Sequence, residues 1–198
     1  MSKVNSIHSV CVYSASSTKI REEFFAAARH LGELMAKEGI RLINGAGSLG
    51  LMCACSDACL AAGGNVTGVI PAFMTEMGWC HKGLTETIVT PDMHTRKQKM
   101  ADLSDGIIAL PGGVGTLEEL LEIITWKQLG LYLKPIVILN VEGYFDPLLT
   151  MLERAVEEKF MRQEHAAIWT VAQTAEEAIH QLHTTPEWDA SVRKNAAI

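Results

Sequence analysis

The stretch GIIALPGGVGTLEELLEIITWKQL, Gly106 to Leu129, decides how the rest of the chain is read. GIIAL is a short apolar run of the kind that fills a strand buried on both faces. PGGVG follows, a turn that calls for glycine wherever the backbone must visit positive φ or approach a ligand closely. TLEELLEIITWKQL then carries an apolar face at helical spacing. Strand, glycine turn and helix in that order predict a parallel sheet covered by helices. Within the segment Thr116 is the natural N-cap. Glu119, three residues later, completes the capping box T-x-x-E, in which the carboxylate turns back to the Thr116 backbone. Glu118 reads as a first-turn carboxylate facing water. The free N–H groups at this helix start, with the helix dipole, offer a seat for a phosphate.

The same alternation extends in both directions. SVCVYS, IRLIN, VTGVI, ETIVT, PIVILN and AIWTV are further strand candidates. Helical spacing places helices over Ile20–Lys37, Leu51–Ala62, His94–Leu103, Leu117–Leu129, Phe145–Lys159 and Ala175–His183, and Gly39, Gly63 and Gly130 stand where helices should stop. The expected fold is α/β, a Rossmann-like three-layer arrangement with a mostly parallel sheet of about seven strands and helices on both faces. Residues 1–185 form one domain in this reading, and 186–198 a loosely held tail. The span Pro71–Thr85 lacks a helical period and reads as a functional or interface loop.

The chain has 198 residues, 48% of them hydrophobic, which is ample for one core. A net charge of −6 gives no reason to grip a polyanion, so nucleic-acid and membrane partners are not expected. The opening MSKVNSIHSVCVYS lacks the features of a signal peptide, and no apolar run approaches the ~18 residues that span a bilayer; a cytoplasmic location is the expectation. Among the five cysteines, Cys53, Cys55 and Cys59 cluster, but at ~100° per residue only Cys55 and Cys59 share a helix face. No histidine is near them in sequence, so they read as packing residues, and no metal is expected.

Two more stretches carry chemistry. In INGAGSLGLM, Gly45, Gly47 and Gly50 satisfy G-x-G-x-x-G, the dinucleotide fingerprint. That fingerprint also needs an acidic residue about 20 positions on, and the next strand ends VTGVIPAF without one. The glycines serve either a tight turn or another nucleotide's phosphate or sugar. PDMHTRKQKM sets Arg96 and Lys97 near the start of a helix, where cations oppose the dipole and call for a partner or a purpose.

With PGGVGTLEE and MHTRK in one chain, separated by a short helix and a strand, the sequence resembles the LOG (lonely guy) family, the cytokinin riboside 5′-monophosphate phosphoribohydrolases. The resemblance runs from Val10 to about Phe160 and includes ITWKQLGLYLKPIVILNVEGYFDPLL. It implies hydrolysis of the N-glycosidic bond of an N6-substituted adenosine monophosphate, giving free base and ribose 5-phosphate without a cofactor. The family's essential arginine and glutamate match Arg96 and Glu119. Its nucleotide-site positions match Lys97, Thr125 and the loop Gly112, Gly113, Val114, Gly115, Thr116, Leu117 and Glu118; Ser16, Gly45 and Gly47 join them. The resemblance also implies a homodimer whose sites borrow residues across the interface. Family members often carry the label lysine decarboxylase, but no Schiff-base lysine or pyridoxal phosphate site is legible here.

Two positions depart from the family pattern: Ser14-Ala15-Ser16 stands for Cys-Gly-Ser, and Gly45-Ala46-Gly47 for three glycines. Each added methyl is expected to bear on base or sugar fit. The expected mechanism sets Glu119 beneath the sugar, kept ionised by the helix dipole, with Arg96 orienting. Asp92 or Glu118 could supply a second carboxylate. A non-catalytic nucleotide sensor or carrier of the same fold, and an NAD-type oxidoreductase, remain as alternatives.

Overall fold

A computed structural model describes residues 5–189. Seven strands, β1 (Ser9–Tyr13), β2 (Arg41–Asn44), β3 (Val66–Pro71), β4 (Glu86–Thr90), β5 (Gly106–Ala109), β6 (Ile136–Leu139) and β7 (Thr170–Ala172), form one sheet. Their order is β4-β3-β2-β1-β5-β6-β7, and every neighbouring pair is parallel. The helices are α1 (Glu22–Lys37), α2 (Gly50–Ala61), α3 (Ala72–Glu76), α4 (Met93–Leu103), α5 (Val114–Gln128), α6 (Asp146–Glu157) and α7 (Ala175–Thr184).

The strands are apolar throughout because both faces are covered, and alternate residues feed opposite cores. Val10 and Val12, Ile108 and Leu110, and Val137 and Leu139 meet α1, α2 and α7 through Leu31, Met35, Cys55, Cys59, Ala178 and Leu182. Their sequence neighbours Cys11 and Tyr13, Ile107 and Ala109, and Ile136 and Ile138 meet α4, α5 and α6 through Met100, Leu120, Ile123, Ile124 and Leu152. The three expected helix stops fall at Gly39, Gly63 and Gly130, each at positive φ.

Three local expectations are corrected. The Pro71–Thr85 span contains the short helix α3. β7 is shorter than AIWTV: Ala167 ends a single-turn helix over Gln163–Ala167, and Ile168 enters the core. Helix α5 begins at Val114 with Gly113 as its N-cap, so Thr116 lies inside the first turn rather than capping it. Thr116 is buried against the Cα of Gly112, at a distance where a β-carbon on that glycine could not fit. At the start of the expected tail the Trp188 backbone N–H donates to the Leu133 carbonyl at 3.3 Å; the rest of that tail, beyond residue 189, lies outside the described residues.

Candidate active site

Strands β1 and β5 are neighbours from which the chain winds away in opposite directions, so the crevice beyond their carboxyl ends is the topological switch point of the sheet. Leu110 N–H to Tyr13 O at 2.9 Å and Ala15 N–H to Pro111 O at 3.3 Å hold those two ends together past the last paired residues. A cavity of about 600 Å³ opens there. Ser14–Ser17 after β1, Gly45, Gly47, Ser48 and Leu49 after β2, and Gly113–Thr116 at the start of α5 line it, together with Met52, Met74, Trp79, Met93, Arg96 and Glu119.

Arg96 and Glu119 meet at its buried end. Arg96 Nη1 donates to Glu119 Oε1 at 2.7 Å, and Arg96 Nε donates to the Val69 carbonyl at 3.1 Å, so α4, α5 and β3 fix the guanidinium between them. Gly45 makes room for it: a β-carbon there would overlap Nη2. The capping-box reading of Glu119 is therefore overturned, since the carboxylate turns to a side chain 23 residues away instead of the Thr116 backbone. The expected lowering of its pKa is overturned too. Burial pushes the Glu119 carboxyl above its ordinary value, and the Arg96 guanidinium opposes that shift without cancelling it.

Lys97 is buried beside this pair, bonded to Glu118 and, at 3.0 Å, to Glu122. Burial works to lower its pKa, but the two glutamates outweigh that effect and the net shift is upward. Glu118 thus has a lysine partner as well as water, which corrects its reading as a free surface carboxylate. Asp92 caps α4 by accepting the Thr95 N–H at 2.7 Å, and this bond holds its carboxyl below the ordinary value. Neither carboxylate lines the cavity, and Asp92 is held toward its ionised form.

Of the site residues expected from sequence, Ser16, Gly45, Gly47, Arg96, Gly113, Val114, Gly115, Thr116 and Glu119 line the cavity. Lys97, Gly112, Leu117, Glu118 and Thr125 do not. Gly112 lies beneath Thr116 and its carbonyl accepts the Tyr144 hydroxyl at 2.7 Å. Leu117 packs on the α4–α5 core, and Thr125 is exposed with its hydroxyl on the Leu121 carbonyl at 2.8 Å. Sequence reading missed Ser14, Trp79 and the methionines. Ser14 stands at the end of the first strand, a position that the switch-point rule could have flagged; Trp79 carries no local signal.

The two alanine departures differ in effect. Ala15 lines the cavity, whereas Ala46, at φ 58°, directs its methyl to Gly68, where a β-carbon would overlap it. Ala46 is thus accommodated by the absence of a side chain on β3, away from the ligand space.

Trp79 sits in a segment clamped to α2. Ser48 N–H donates to Trp79 O at 3.0 Å, His81 N–H to Ala46 O at 2.8 Å, and His81 Nε2 meets Asp57 Oδ1 at 2.9 Å. Cys53, one turn before Asp57, bonds the other carboxylate oxygen at 3.3 Å. Cys53 is therefore half-buried beside a histidine rather than packed in the core as expected; burial and Asp57 push its thiol up to about 11. Three such side chains could hold a metal. However, Gly83 N–H donates to His81 Nδ1 at 3.0 Å, which puts the ring proton on Nε2 facing Asp57. The group is a hydrogen-bonded clamp.

A doubly wound parallel sheet with an Arg–carboxylate pair and a helix start at its switch point defines a Rossmann-like α/β protein with a composite candidate site there. Residues 52–182 match the family described as "Possible lysine decarboxylase". Cytokinin riboside 5′-monophosphate phosphoribohydrolase LOG5 of Arabidopsis thaliana is 43% identical over 173 residues, 87% of this chain and 76% of that protein. The rice (Oryza sativa subsp. japonica) phosphoribohydrolase LOG is 40% identical over 184 residues, 92% of this chain and 76% of that protein. The molybdenum cofactor carrier protein of Chlamydomonas reinhardtii shares the fold, with a TM-score of 0.68 at 23% identity over 88% of this chain and 95% of that one. The chain belongs to the LOG family of phosphoribohydrolases. The decarboxylase label finds no support in the cavity, whose lining among the described residues contains no lysine. The buried Lys127, lowered to about 8 by burial, donates to the Lys134 carbonyl instead.

Proposed function

We propose that the chain hydrolyses the N-glycosidic bond of adenosine 5′-monophosphate or an N6-substituted analogue, releasing the free base and ribose 5-phosphate. The observation that carries the site assignment is the buried Arg96–Glu119 pair in one cavity with the start of α5. The N–H groups of Gly113–Thr116 and the positive end of the helix dipole receive the 5′-phosphate. Glu119 then lies under the sugar. As C1′–N9 breaks, its carboxylate stabilises the oxocarbenium-like ribose and takes a proton from the attacking water. The raised pKa makes it a stronger base, and Arg96 keeps it ionised and aimed. Water delivers hydroxyl to C1′, the purine departs with the bond's electron pair and takes up a proton from solvent, and Glu119 releases the proton it took from water back to solvent. Leu49, Met52, Met74, Trp79 and Met93 give the remaining wall an apolar surface suited to the base.

We also propose that the protein acts as a homodimer with shared sites. Leu121, Thr125 and Leu129 form an outward stripe at successive turns of α5, both leucines about two-fifths exposed. Thr125 can serve a nucleotide only across an interface, because within its own chain it faces away from the cavity.

Incubation with AMP, followed by chromatography for free adenine, tests the activity. Adenine release with matching ribose 5-phosphate is expected; tight binding of intact AMP would make the protein a carrier or sensor instead.

A further inference from the structure

Of the buried side-chain polar atoms that lack a hydrogen-bond partner among the described residues, Ser14 Oγ alone belongs to a residue lining the cavity. Ser14 is 5% exposed. Its backbone is fixed from both sides: Tyr13 O accepts Leu110 N–H, Ala15 N–H binds Pro111 O, and Ala15 O accepts Met52 N–H at 3.3 Å. Buried hydroxyls are nearly always bonded, so an orphan one in a ligand cavity points to a ligand group that completes it.

The surroundings select that group. Ser14 lines the same cavity as Arg96 and Glu119, and the guanidinium there is already bonded to the Glu119 carboxylate. An anion finds no unpaired cation beside them, and the exposed loop Gly113–Gly115 is the place for one. A neutral hydroxyl, able both to donate and to accept, fits. With Glu119 beneath the anomeric carbon, the substrate hydroxyl on the adjoining carbon is the 2′-OH.

We propose that Ser14 Oγ binds the ribose 2′-hydroxyl and makes this site selective for ribonucleotides over 2′-deoxyribonucleotides. The assignment rests on the nucleotide reading of the cavity given above, and its test does not require turnover. Calorimetry on the Glu119→Gln protein, with AMP and 2′-deoxy-AMP as ligands, is compared with the Ser14→Ala/Glu119→Gln double variant. AMP should bind roughly 10-fold more tightly than 2′-deoxy-AMP in the first protein and equally in the second, as expected for one neutral hydrogen bond. Ser14→Thr, which retains a hydroxyl, should keep part of the preference, and Ser14→Ala should not lower the melting temperature of the free protein, because the lost hydroxyl has no partner there. An unchanged ratio after Ser14→Ala, a uniform loss for both ligands, or no binding of AMP would overturn the proposal. Failure of the wild-type protein to release adenine, with the binding ratio as expected, would overturn the hydrolase reading and leave Ser14's role standing.

Discussion

Glu119 is held between two opposing effects. Burial favours its neutral form and the Arg96 guanidinium its charged form, with burial the larger. The proposed catalytic role of this carboxylate is therefore sensitive to acid. Because activity needs the ionised form, it should be present above the Glu119 pKa and be lost as pH falls through it. Since that pKa is raised, the acid limb of kcat/KM should lie above the ordinary carboxylate range. Arg96→Lys keeps a cation but cannot reproduce both the Val69 and Glu119 bonds, so the opposing contribution weakens and residual activity should show a limb displaced further upward. A pH–rate profile for base release reads both; a limb at an ordinary carboxylate pKa would contradict the assignment. Glu119→Gln keeps the shape and removes the base, and Arg96→Ala leaves a buried carboxylate unpaired. Each should reduce turnover by roughly 10²–10⁴-fold with a native circular dichroism spectrum.

At the scale of elements, the start of α5 should bind the substrate's phosphate and thereby position a sugar that Glu119 must reach. Adenosine, which lacks that anion, should be cleaved at least roughly 100-fold more slowly than AMP, read by adenine release. The clamp on the Trp79 segment belongs to the same scale. His81→Ala removes the bond to Asp57 and should loosen the base-side wall, raising KM for AMP by roughly 10-fold, while product inhibition by ribose 5-phosphate, which has no base, stays unchanged. These two elements were unequally legible. Strand and helix positions were readable because apolar runs and helical spacing are local properties. PGGVG marked its own turn for the same reason. What failed was local logic applied to non-local contacts: T-x-x-E has the spacing of a cap, but Arg96 arrives from α4 and captures the glutamate. The clamp joins Cys53 and Asp57 on α2 to His81, 24 residues beyond Asp57, and nothing in sequence announces that pairing. Trp79 lines the cavity from the segment that this clamp helps to hold.

For the whole molecule, the sheet determines which parts of the site one chain can supply. The groups at the switch point come from the loops at the carboxyl edge and the helices that leave it, whereas the residues Leu121, Thr125 and Leu129 are exposed and lie outside the cavity. If Thr125 contributes to a nucleotide site, that site is on a second copy, and the apolar leucines flanking it supply surface for the contact. Exchanging both leucines for aspartate should then give a folded monomer by sedimentation and lower base release together with the loss of assembly. Shared sites also have a statistical signature in a closed two-fold pair. A Glu119→Gln homodimer and a Thr125→Arg homodimer should each be nearly inactive, since every site in either carries one defect. Mixed and allowed to exchange, half of the pairs become heterodimers in which one site collects both substitutions and the other none, so about a quarter of all sites return to wild type. Recovery of about that fraction of activity would place Thr125 across the interface from Glu119. A mixture no more active than its parents would place both residues in the same protomer's site, or Thr125 in none.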